Sequence, residues 1–171
     1  MENFSNETID TTMLPKFEAV QFSVLDADYW KVSMLNVIIF FLIAGAGLGL
    51  LLFYNSELLV FAVQISVAYF VLLSIVLLLS RISFKKKGFA FRTHDVLFRY
   101  GIIATNTIVI PYNRVQHVAL HEGLLSRYFG LAKVEVFTAG GSSSDIEIPG
   151  IKKEQAENIK QLLMGKIQKQ L

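Results

Sequence analysis

Two long apolar runs without a single charge dominate the hydrophobic pattern of this chain. Residues 32–53 read VSMLNVIIFFLIAGAGLGLLLF, and residues 58–79 read LLVFAVQISVAYFVLLSIVLLL. A helix of about 20 apolar residues, rising 1.5 Å per residue, crosses a hydrocarbon core about 30 Å thick. The pattern therefore predicts two membrane-spanning helices. The link Tyr54-Asn55-Ser56-Glu57 is too short to be a domain, so the helices form a hairpin whose outer ends share one side. Tyr29 and Trp30 precede the first run and Tyr54 follows it, where aromatic rings suit the headgroup boundary.

After residue 79 the pattern shortens to a period of two. Alternation over 89–92, 96–100, 107–110, 115–122 and 133–138, with Ile146 and Ile148 flanking Glu147, predicts closely spaced strands. The breaks between them are a turn at 93–95, Gly101, Pro111, a helical turn or bend over 124–129, and a loop over 139–145. Pro149-Gly150 separates the last strand from a helix in which Ala156, Ile159, Leu163, Ile167 and Leu171 form one apolar stripe. Such a set predicts a small barrel or sandwich. The helix would plug the open end of a half-open barrel and hide an edge.

Composition agrees with this division. Hydrophobic residues make up 53% of the chain and the mean hydropathy is +0.50, with the excess concentrated in the two runs. Residues 1–31 hold two Lys against six Asp or Glu, whereas residues 81–171 hold fourteen Lys or Arg against seven acids. The link between the spans has no Lys or Arg, while Arg81, Lys85, Lys86, Lys87 and Arg92 crowd the exit of the second. Positive flanks face the cytoplasm. The expectation is a multi-pass protein of the plasma (inner) membrane with both termini cytoplasmic. Its parts are an N-terminal segment (1–31), a transmembrane hairpin (32–79) and a β-rich domain (84–171). The acidic N-terminus lacks the early basic segment of a cleaved signal, so the first span is expected to be retained.

Candidate chemistry is sparse. There is no cysteine, which excludes disulfides, thiol catalysis and Cys-ligated metals. His117 and His121 lack the glutamate of a zinc-binding helix and sit in a predicted strand, so solvated or cross-strand histidines are expected. The Gly-rich loop at 139–144 has no following Gly-Lys-Ser/Thr, and Ser142 to Ser144 lack a nucleophile elbow. No catalytic set, metal or cofactor is expected, and no ionisable residue within the spans supports transport. Basic residues are not interleaved with aromatics in a nucleic-acid module, so no nucleic acid is expected. Lys85, Lys86, Lys87 and Arg92 are candidate lipid-facing residues, weighed against a topology signal alone. Gly45 and Gly49 have the spacing of a helix-packing motif, between the two spans or in a homo- or hetero-oligomer.

Over residues 84–163 the chain resembles the bacterial pleckstrin-homology-like (PH-like) domain of YdbS-like membrane proteins. The resemblance rests on Asp95, Arg99 and Gly101; Ile110-Pro111; Arg114-Val115-Gln116; Leu125, Arg127 and Phe129-Gly130-Leu131; Thr138-Ala139-Gly140; and Pro149-Gly150. The preceding hairpin is also that family's arrangement. It implies an α+β membrane protein whose partly open antiparallel β-barrel is capped by a C-terminal amphipathic helix. The implied role is non-enzymatic: a membrane-anchored interaction module, scaffold or accessory subunit of a bacterial envelope complex. The implied partners are the bilayer and a larger relative with several copies of the domain. A sensor of anionic lipid headgroups is the alternative. Lys87 and Arg92 flank the first strand, but the basic pair on the next strand is missing, so inositide binding does not carry over. Within the matched motif, Arg114, Gln116 and Arg127 would contact a partner or lock loops, the latter being expected.

Overall fold

The computed structural model describes residue 8 and residues 19–139 and 145–168. The first apolar run lies within a long helix, α1 (Asp28–Tyr54), whereas the second, expected from residue 58, is interrupted near its start and continues as the long helix α3 (Ala62–Lys86). Both helices extend past the apolar runs into polar residues at the end nearer the rest of the chain. A short helix, α2 (Ser56–Leu59), forms the connection, and the Asn55 side chain caps it by accepting from the Glu57 and Leu58 amides at 3.2 and 3.3 Å.

Polar and aromatic contacts join the two helices. The Ser33 and Ser80 hydroxyls meet at 2.9 Å, Phe41 meets Tyr69 edge-on at 5.4 Å, and the Tyr69 hydroxyl donates to the Phe41 carbonyl. Most other apolar side chains of α1 and α3 point outward. Phe40, Ile43 and Phe70 are 67%, 70% and 63% exposed. Buried soluble helices do not look like this, whereas a lipid-facing pair does.

The β-rich part consists of two antiparallel sheets. The first has the order β1 (Ser23–Val24), β2 (Gly88–Phe91), β3 (Asp95–Tyr100), β4 (Asn106–Pro111); the second has β5 (Val115–His121), β6 (Leu131–Thr138), β7 (Ile146–Lys152). A 3₁₀ turn, Tyr112–Arg114, leads from one sheet to the other, and among the described residues no strand ladder joins them. The barrel is therefore partly open. Between β5 and β6 lies the short helix α4 (Leu124–Tyr128), and α5 (Lys153–Gln168) covers the core. Inward residues of both sheets, including Val96, Val134, Val136 and Ile148, meet Ala156, Ile159 and Leu163 of α5. The predicted stripe thus faces the core as far as Ile167; Leu171 lies outside the described residues.

Two local features differ from the sequence reading. Pro149-Gly150 does not end the last strand; β7 runs through it to Lys152. The register passes from Val134↔Ile148 to Ala132↔Ile151, so Pro149 and Gly150 together oppose Lys133. This is a bulge, where a residue without an N–H is tolerated, and Gly150 takes φ +64° there. The Tyr29 side chain lies so close that any Cβ at position 150 would collide with it. The second difference is β1, which comes from ahead of the hairpin yet pairs with β2, Ser23 with Phe89 and Val24 with Gly88. A two-residue strand leaves no periodicity to read. The loop expected over 139–145 falls outside the described residues except at its ends, as does most of the segment before residue 19.

Candidate functional site

Both ends of the hairpin join the domain at one place. β2 starts directly after α3, and the residues between β1 and α1 bind back to the second sheet. The Asp26 amide donates to the Gly150 carbonyl at 2.9 Å, its carboxylate lies 3.7 Å from Lys152, and Leu25 is in the core. Aromatic and basic side chains gather where the helices leave. The Arg81 guanidinium lies over Trp30 at 4.8 Å and over Phe84 at 5.8 Å, and Tyr29 and Phe84 are 6.3 Å apart.

A cleft of 510 Å³ opens beside this junction, lined by Tyr29, Lys87, Tyr100, Lys133 and Glu147 among others. Its two lysines differ electrostatically. On the sheet, Glu135 and Glu147 are directly opposite, a pairing that like charges disfavour. Lys133 relieves it, with its ammonium 2.5 Å from Glu135 and 3.0 Å from Glu147. The hydrogen bond to Glu135 raises the Lys133 pKa in spite of desolvation. Lys87 has no acidic partner among the described residues and is half-buried. Burial pushes its pKa down. An ammonium held this way gains from any anion that enters the cleft. Asp145, on the rim, is already committed to Thr138, accepting from its amide at 2.9 Å and its hydroxyl at 2.6 Å.

The structure separates the residues that the sequence grouped. Lys85 and Lys86 are exposed, and Lys86 donates to the Ile102 carbonyl at 2.6 Å, whereas Lys87 turns into the cleft. Arg92 lies just past the far end of β2, about 16 Å along the strand from Lys87 at about 3.3 Å per residue. It is bound to Asp95 through two hydrogen bonds, which raise its pKa. Arg114, Gln116 and Arg127 lie on three different elements, and all are exposed. Among the described residues their side chains have no hydrogen-bond or ion-pair partner. Of the two glycines, Gly45 receives the Tyr69 ring, while Gly49 has nothing near it. His117 stacks on its cross-strand neighbour Phe137 at 4.2 Å. No group of acids and histidines suited to a metal occurs among the described residues.

Sequence reasoning placed Tyr29 at the headgroup boundary and Glu147 on a strand, but did not join them to each other or to Tyr100 and Lys133, because only the tertiary fold brings the four together. It also passed over Leu124 and Tyr128, although their four-residue spacing would have placed them on one side of a helical turn.

The family model for the bacterial PH domain matches residues 34–167. The transmembrane protein YdbS of Bacillus subtilis (strain 168) is 28% identical over 85 residues, which is 50% of this chain and 52% of that protein. The match thus spans about half the length of that relative. No solved structure matches the chain. The apolar hairpin and the transmembrane relative together make this a membrane protein. From within α1 to the last turn of α5, the order of helices, antiparallel sheets and covering helix coincides with the family match, and the chain belongs to the bacterial PH domain family.

Proposed function

We propose that this chain is a membrane-anchored, non-catalytic interaction module. The hairpin, with spans at 32–53 and 58–79, crosses the inner membrane and leaves both termini in the cytoplasm. The domain of residues 84–171, completed by the short strand ahead of the hairpin, serves as a scaffold or accessory subunit of a bacterial envelope complex. The observation that carries this reading is the pairing of β1 with β2 across the hairpin. A domain tied to both ends of its anchor is held at the surface in one orientation. Confinement of that kind raises its effective concentration for other membrane proteins. The partner envisaged is a larger membrane relative with several PH-like domains, with self-association as the alternative. Asn36 supports a partner within the bilayer: it is exposed in the apolar run of α1, and its amide has no bond among the described residues.

The test is affinity purification of the full-length protein from its native membrane in mild detergent, followed by mass spectrometry. A stoichiometric membrane partner is expected. Recovery of the protein alone overturns the scaffold reading.

A second reading, recognition of anionic lipid headgroups, is favoured by Lys87, the half-buried ammonium without an acidic partner in the cleft. Native mass spectrometry of the full chain released from nanodiscs containing phosphatidylglycerol should show retained anionic lipid, lost in Lys87→Gln. Equal retention by both proteins removes this reading.

A further inference from the structure

The exposed apolar residues of the domain are not scattered. Val24, Ile103, Leu124 and Tyr128 are 76%, 101%, 85% and 84% exposed. No other large apolar residue of the domain exceeds half exposure among those described; Val109, Leu162 and Met164 are 42%, 46% and 39%. All four of the most exposed lie where the hairpin leaves the domain. Val24 pairs with Gly88, the first residue of β2 after α3. Ile103 is on the turn after β3, and this turn is fastened to the end of α3 by Lys86 and the Ile102 carbonyl, 2.6 Å apart. Gly101 sets the shape of that turn, with φ +120° and the Ala104 carbonyl in the space a Cβ would need. Leu124 and Tyr128 share one side of α4, which packs against α1.

We infer that these four side chains form an apolar rim that seats the domain in the boundary between headgroups and acyl chains. The occupant follows from continuity and charge. The rim surrounds the ends of two helices whose remaining surface is already apolar, so it extends the same lipid-facing surface sideways. Lys85, Lys86 and Arg127 are exposed beside it and suit anionic headgroups. An exposed Leu and Tyr on one turn next to an Arg is the composition of an interfacial anchor, with the apolar parts inward and the polar ends in the headgroups. Seating would fix the tilt of the domain, and with it the side that its cleft presents. This inference rests on the hairpin crossing the bilayer, and is independent of any protein partner.

The chain has no native cysteine, so single-cysteine variants of the full-length protein can carry one environment-sensitive fluorophore each. Ile103→Cys, Leu124→Cys and Tyr128→Cys are labelled with a nitrobenzoxadiazole dye in liposomes of phosphatidylethanolamine and phosphatidylglycerol. Phe70→Cys in α3 reports on the span, and Thr93→Cys on the opposite end of the first sheet. The rim labels should be bright, blue-shifted and quenched by lipids with a nitroxide near the headgroup, while the Thr93 label stays dim and unquenched. Rim labels as dim as that at Thr93 overturn the inference, as do bright rim labels that lipid nitroxides fail to quench, which would indicate a protein contact. Phe70 quenched by mid-chain nitroxides alongside unquenched rim labels defeats the rim and leaves the anchor standing. Loss of quenching at Phe70 itself defeats the anchor. A lipid with a headgroup-proximal diazirine gives a second reading on unlabelled protein: crosslinks at 101–105 and 124–128 but not at 92–94 are expected, and the reverse pattern overturns the rim.

Discussion

The hairpin and the domain are built from the same side chains turned in opposite directions. In the domain, Val96, Leu97, Val134 and Leu163 are 0% exposed, whereas in the hairpin Ile43, Phe70 and Leu72 are 70%, 63% and 54% exposed. Water drives the first arrangement, through removal of apolar area from solvent. No such drive acts between helices in lipid, because the hydrocarbon is as apolar as the side chains. What remains there is close packing and a few polar contacts: Gly45 against Tyr69, and Ser33 against Ser80.

The sharpest way to break this contrast is to truncate one leucine from each region. Leu163→Ala removes a fully buried side chain from α5 and should destabilise the domain by about 2–5 kcal/mol. Leu72→Ala removes one that faces lipid and should leave thermal unfolding of the purified protein almost unchanged. Equal losses would show that the outer face of α3 is covered by protein. A charge reverses the sensitivity. Phe70→Lys should oppose insertion of α3 by about 2.5–3.5 kcal/mol in a membrane-insertion assay, while Val24→Lys on the exposed strand edge should have little effect on folding.

The glycines refine the hairpin side. Gly45→Leu forces Tyr69 away from α1 and should cost about 1–3 kcal/mol of hairpin stability, measured by detergent-induced unfolding. Gly49→Leu meets open space and should be silent in that assay, while abolishing co-purification of any partner that packs on this face. On the domain side, Tyr112 is buried at the corner between the sheets, its hydroxyl donates to the Arg92 carbonyl at 2.7 Å, and burial pushes its pKa up to about 12. Tyr112→Phe should cost about 1 kcal/mol in chemical denaturation.

The smallest expected effect has the opposite sign. The Lys87 pKa is lowered by burial, so the folded state holds this proton less tightly than the unfolded chain does. Its penalty on folding is therefore fully present below the lowered folded pKa, and is relieved as pH rises from that value to the unfolded one. Lys87→Met should stabilise the domain near neutral pH by less than about 1 kcal/mol, and the gain over the parent should shrink in alkaline melts.

Much of the architecture was legible because it repeats. The two uncharged runs, the alternation at Val134 and Val136, and the stripe Ala156-Ile159-Leu163 each state one periodicity over enough residues to be read. The site was less legible. Lys85, Lys86 and Lys87 look alike in sequence, yet α3 ends at Lys86, so only Lys87 turns into the cleft. Gly45 and Gly49 are separated only by where Tyr69 falls on the neighbouring helix. The Pro149-Gly150 bulge needs Lys133 opposite and Tyr29 above it, and neither is nearby in the chain.

The strand formed by Ser23 and Val24 has a consequence for how the protein is made. It leaves the ribosome first and cannot be used until β2 follows, after the entire hairpin. In the topology proposed above, its partner comes within reach only when both helices have inserted and brought the chain back to the starting side. A nascent chain with a single helix across would strand β1 and β2 on opposite faces of the membrane, leaving the sheet without its edge and Leu25 without its core. With both helices across the membrane as proposed, completion of the sheet reports on insertion through the pairing of a two-residue strand.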